Sequence, residues 1–212
     1  VNPKPLRADT ERTVRAILEA AERVLSANPA APMEQIAEAA GVARTTVHRR
    51  FASREALISA LGAWAAQRFH EAVEAARPDT APPAVALYQV TVNVLRVKIG
   101  WGFAMGALPN DAPEVARVHD DVWARCERLF VRLQEVGEIP ANADLDWVRR
   151  VYYALIHEAA LEAPEGDAAI DALATRVIDT LLHGIGASRA AGRAGLEAFG
   201  EFEHTLASMP DA

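Results

Sequence analysis

One cysteine, Cys126, stands in 212 residues. A lone thiol excludes a disulfide framework within the chain and suits a reducing compartment. Long apolar runs are missing too, since none approaches the roughly 18 to 20 residues of a membrane span. The first ten residues, VNPKPLRADT, lack the apolar stretch of a signal peptide. The expectation is a soluble, cytoplasmic protein with no membrane partner. Alternation of polar and apolar residues, the mark of a half-buried strand, is not found. The signatures of several enzyme classes are absent as well. GWGFAMG, residues 100–106, lacks the Lys-Ser/Thr ending of a phosphate-binding loop and does not lie between strand and helix. His157-Glu158 lacks the second histidine of the zinc-protease pattern. His119, Asp120 and Asp121 are adjacent, so on a helix their side chains diverge instead of converging on a metal. His119 and Cys126 lie seven apart and can share a helix face, but no orienting third group or oxyanion site accompanies them. No catalytic residue, metal or cofactor is expected.

What remains is apolar, alanine-rich and helical. Apolar residues make up 51% of the chain, enough for a sizeable core, and only 6% are aromatic. Prolines cut the chain into blocks, because a proline inside a helix costs about 3 kcal/mol. Between them the apolar pattern repeats near 3.6 residues. Helices are predicted at about 10–27, 33–40, 43–51, 53–76, 83–100, 113–136, 145–163 and from 167 onward. Caps are assigned to Asp9 or Thr10, Ser53, Asp111 with Glu114, Asp144 and Asp167. The four glycines between 186 and 200 leave the tail after about residue 188 without an assignment. The fold class is all-α, with a small domain at 1–53 and a larger one at 54–212, joined through the helix at 53–76.

Charge is uneven along the chain. Residues 1–54 carry nine Lys or Arg against six acids, a net +3, whereas the whole chain is −7. The basic residues concentrate in GVARTTVHRRF, residues 41–51. A helix, a tight glycine turn at Gly41 and a second short helix form a helix-turn-helix pattern. Ala37 lets the helices approach, and Val42, Val47 and Phe51 supply the inner face. Arg44, Thr45, His48 and Arg49 then point outward. A helix fits the major groove, where arginine suits guanine and threonine suits a base edge or a thymine methyl. Thr46 and Arg50 are better placed for phosphate. Arg54, and Lys4 or Arg7 in a leading arm, would add phosphate contacts that orient without specifying sequence.

The stretch IAEAAGVARTTVHRRFASREAL resembles the DNA-binding region of the TetR family of transcriptional regulators, and the likeness extends over about residues 10–62. Two positions depart from the family's habit. His48 stands where an aromatic, commonly tyrosine, is usual, and Pro32-Met33 stands where a Ser or Thr opens the second helix. The resemblance implies an all-helical homodimer on a palindromic duplex-DNA operator. It also implies a C-terminal domain that binds a small effector and so releases the DNA. By that analogy the last two strong helices form the dimer interface, with Val148, Tyr152, Leu155, Val177, Leu181 and Ile185 as its residues. Helix 145–163 is apolar around much of its circumference, with Trp147, Ala154 and Leu161 lying off its main stripe. Pockets are mostly apolar with a few placed polar groups. Trp101, Phe103, Met105, Trp123, Phe130, Tyr88 and His157 could line one for an apolar or aromatic effector. The expected function is a ligand-responsive repressor. The competing expectation is a helical small-molecule-binding protein, or less readily an enzyme, that keeps the fold without operator function.

Overall fold

The structure, a computed structural model, describes residues 4–107, 113–162 and 166–184, with the side chains of 4–8, 105, 107 and 113–119 outside the description. Nine helices and no strand occur among the described residues: α1 (Lys4–Ala27), α2 (Met33–Ala39), α3 (Arg44–Arg50), α4 (Arg54–Ala75), α5 (Pro83–Gly100), α6 (Gly102–Ala107), α7 (Pro113–Glu135), α8 (Leu145–Leu161) and α9 (Asp167–His183). None of the described helices is long and apolar enough to cross a membrane.

Local chemistry explains several boundaries. Ser53 accepts the amide of Ala56 at 3.2 Å and caps α4. Asp144 accepts the amides of Asp146 at 2.9 Å and Trp147 at 3.2 Å and caps α8. Pro83 opens α5, where its missing N–H is no loss. Asp167 departs from expectation. Gly166 occupies the cap position and Asp167 is the first residue of α9. Its carboxylate instead accepts from Arg96 Nε of α5 at 3.1 Å, a contact between helices that local spacing does not reveal. The proposed Asp111–Glu114 capping box lies outside the described residues, as do the His119 side chain and the tail after 184.

The core is two apolar clusters. The first gathers Ile17, Leu18, Leu25, Ile36, Val47, Phe51, Leu57 and Leu61 from α1 to α4. The second gathers Val73, Leu87, Leu95, Leu129, Phe130, Leu133, Tyr152, Ile156, Leu173 and Val177 from the later helices. Helix α4 belongs to both: Leu57, Leu61 and Ala65 enter the first, and Val73 enters the second. Helix α6 also reaches across, because Ala104 is buried in the first cluster and Trp101 and Phe103 pack against it.

Candidate DNA-binding interface and effector region

The turn before α3 is built from backbone hydrogen bonds. Gly41 has φ +67°, a left-handed conformation that glycine adopts without steric cost. The Val42 amide donates to the Ala37 carbonyl and the Gly41 amide to the Glu38 carbonyl, both at 3.0 Å. This pair of bonds is the Schellman arrangement, which ends α2 sharply and sets the angle at which α3 departs. Behind α3, Val47 is fully buried and Phe51 nearly so. At about 100° per residue, Arg44, His48, Thr45 and Arg49 fall within one arc of roughly 140°. All four are exposed, while Thr46 and Arg50 at the flank are half-buried.

The cations divide into free and committed groups. Arg49 is exposed, with no ion-pair partner among the described residues. Arg44 meets Glu34 of α2 at 2.7 Å, with the arginine side chain still 66% exposed. An exposed pair of this kind contributes about 0–1 kcal/mol. Release of Arg44 from Glu34 is therefore inexpensive. Arg50 is turned inward: Nη2 donates to Thr10 Oγ1 of α1 at 3.1 Å, and Nε is buried without a partner among the described residues. Arg54 donates to the carbonyls of Pro29 and Ala31. Its guanidinium therefore ties the α1–α2 loop to the start of α4, and the phosphate role expected of it gives way to a structural one. The backbone at Lys4 and Arg7 is already helical, so neither lies on an extended arm; their side chains are outside the described residues.

Sequence reasoning missed Glu22. This α1 carboxylate is only 4% exposed. Oε1 accepts the Phe103 amide at 2.9 Å and the Ser26 hydroxyl at 3.1 Å, and Oε2 accepts the Ala104 amide at 3.0 Å. The first turn of α6 is thus capped by a side chain of α1. The only hint in sequence is an acid beside the apolar stripe of Leu18, Ala21 and Leu25.

Among the described residues, those expected to line an effector pocket stand in different surroundings. Trp101 and Phe103 pack on the first cluster, beside the recognition unit. Phe130 is 1% exposed, with its ring edge-on to Tyr152 at 5.4 Å, and is core. Tyr88 is half-buried against the second cluster. Trp123 is 43% exposed, with the Arg149 guanidinium 3.7 Å above its ring centre and Tyr153 at 5.5 Å. Between them Cys126 is buried, which pushes its thiol pKa up. His157 is apart from these, exposed on the rim of a cleft between α5, α6 and α8. The side chain of Met105 lies outside the described residues.

Of the expected dimer residues, two are buried in the chain's own core. Tyr152 is 2% exposed and bonded to Thr91 at 2.9 Å, and Val177 is 4% exposed. Both face their own protomer's core. Val148, Leu155 and Leu181 are half-buried at the edges, and Ile185 lies outside the described residues. The outward side of α8 instead carries Trp147, 59% exposed, and Leu161, 67% exposed, with Val151 and Ala154 between them.

Comparison with known proteins agrees with this architecture. Residues 17–61 match the profile of the bacterial regulatory proteins of the tetR family. The chain is 34% identical over 178 residues to the HTH-type transcriptional repressor LfrR of Mycolicibacterium smegmatis, spanning 81% of this chain and 92% of that one. The crystal structure of LfrR in complex with proflavine superimposes with a TM-score of 0.64 at 28% identity, covering 84% of this chain and 99% of the other. The regulator PfmR from Thermus thermophilus shares the fold, with a TM-score of 0.68 at 18% identity over 80% of this chain and 98% of its own. The chain belongs to the TetR family and is a DNA-binding transcriptional regulator.

Proposed function

We propose that the protein is a repressor that works as a two-fold dimer on a palindromic operator and leaves it when a small effector with an apolar body binds. The observation that carries this reading is the open arc of Arg44, Thr45, His48 and Arg49, backed by buried Val47 and Phe51. Side chains on such an arc can reach base edges in a major groove. Thr46 is the phosphate contact retained at the flank. In this division of labour the first cluster reads DNA, and α5 to α9 serve the effector and the dimer. No step requires catalysis, and the work is placed in the cytoplasm. LfrR has been crystallised in complex with proflavine, and a small-molecule effector is assigned here too.

Two recognition helices must lie about 34–36 Å apart to enter successive major grooves. An effector that favours a different spacing weakens operator binding by its differential affinity for the two states. The test is a mobility-shift titration with duplex DNA flanking the protein's own gene, at several salt concentrations. Specific, salt-sensitive binding is expected. Arg44→Ala should weaken it by about 1–3 kcal/mol and relax base preference. Arg54→Ala should leave base preference intact and lower the melting temperature, because it frees the α1–α2 loop. Equal, weak binding to every duplex, or wild-type affinity in Arg44→Ala, would overturn the reading.

For the dimer, the outward face of α8 is the proposed contact, centred on Trp147. An exposed tryptophan in a row with Val151 and Ala154 resembles the buried centre of an interface, where aromatic residues are enriched. Trp147→Glu is expected to halve the mass seen by analytical ultracentrifugation and to abolish tight binding to a two-site operator. An unchanged mass would move the interface elsewhere.

A further inference from the structure

The cleft between α5, α6 and α8 has a volume of about 430 Å³. Ile99, Ala160 and Leu161 give it apolar walls, and Gly102 and Gly106 of α6 bring bare backbone to its edge. Among the described residues, no atom lies within 4 Å of where a Cβ would stand at either glycine. A ligand can therefore approach α6 closely. The polar groups are Lys98, in the last turn of α5, and His157.

Lys98 is half-buried, and among the described residues no carboxylate lies within ion-pair distance of it. Most other cations on α5 to α9 differ: Arg96, Arg125, Arg128, Arg149 and Arg176 each hold an aspartate or glutamate. Burial also pulls the Lys98 pKa below the ordinary lysine value. A partly desolvated cation facing apolar walls is unfavourable until an anion joins it.

Resting on the regulator reading, we infer that this cleft binds a monoanion with an apolar body, its carboxylate or equivalent oxyanion paired with Lys98 and its hydrocarbon part over Ile99, Ala160 and Leu161. His157 sits at the rim, where it can donate a second hydrogen bond to the anion. The position gives the ligand a route to the recognition unit. It would lie against α6, whose first turn is held by Glu22 of α1.

Isothermal titration calorimetry with three probes of one chain length tests this: octanoate, octan-1-ol and octylammonium. Octanoate should bind at least tenfold more tightly than either of the others. Lys98→Met keeps the length and apolar stem of the side chain, and should reduce octanoate to the affinity of octan-1-ol. Gly106→Leu, whose side chain would enter the cleft, should abolish binding of both, with circular dichroism reporting that the helices remain. Octanoate binding no better than the alcohol, or unchanged in Lys98→Met, overturns the assignment, as does tighter binding of octylammonium. Operator binding by the ligand-free wild-type protein is measured separately. If it is specific while octanoate fails, the anion site falls and the regulator reading stands. If it is absent while octanoate binds through Lys98, the site stands and the regulator reading falls.

Discussion

Phe130→Ala is expected to cost about 3–5 kcal/mol of folding stability. The side chain is 1% exposed, at the centre of the second cluster. Its ring meets Tyr152 edge-on at 72°. Tyr152 is in turn fixed by hydrogen bonds. Thr91 donates its single hydroxyl proton to the Leu87 carbonyl at 2.7 Å, so in the 2.9 Å contact the Tyr152 phenol is the donor. Burial pushes the phenol's pKa well up and keeps it a donor. Truncating Phe130 therefore leaves a cavity whose walls are held from closing in, the case in which large-to-small changes cost most. For a chain of this size each kcal/mol lowers the melting temperature by about 2–4 °C. Urea and thermal denaturation would measure it. A loss below about 1 kcal/mol, accompanied by weakened effector binding, would return Phe130 to the pocket lining first expected of it.

Glu22→Ala is the second large effect. It strips acceptors from the amides of Phe103 and Ala104 in a part-buried to buried setting. Each buried donor left without a partner costs about 1–3 kcal/mol, so for the two a loss of roughly 2–6 kcal/mol is expected. Glu22→Gln should recover only part of it, because one oxygen becomes an NH2 group facing an amide N–H. Stability alone would not separate this joint from any other buried polar contact. Hydrogen exchange does: the amides of residues 103 and 104 should exchange faster in Glu22→Ala at a temperature where the protein is still folded. Unaltered protection at both positions would show that the carboxylate does not hold α6.

The element pattern is legible in the sequence because proline positions and a 3.6-residue repeat are local. The spans of α5, α7 and α8 end within about two residues of those expected. The outward arc of α3 is legible for the same reason, since Val47 and Phe51 fix which side faces in. What sequence does not supply is the identity of partners far along the chain. A guanidinium at the start of α4 looks like a phosphate contact until the carbonyls of Pro29 and Ala31 fold back beneath it. Glu22 finds its amides 81 and 82 residues downstream, so in sequence it reads as an ordinary helix-surface acid. Helix α8 has apolar residues on both sides, and periodicity does not choose between them. Packing against α5 and α9 places Tyr152 inside and leaves Trp147 out. Composition alone points Trp101 and Phe103 to an effector pocket. The break in the helix at Trp101 instead turns them towards the first cluster.

Helix α4 has 22 residues and is rooted in both clusters. At 1.5 Å per residue it is about 33 Å long, a stiff lever. A pivot of about 5° at its far end sweeps the near end through roughly 3 Å, close to the 3.4 Å step between successive bases on one strand. A displacement of a few degrees among the later helices is therefore enough to carry α3 out of step with the bases it addresses.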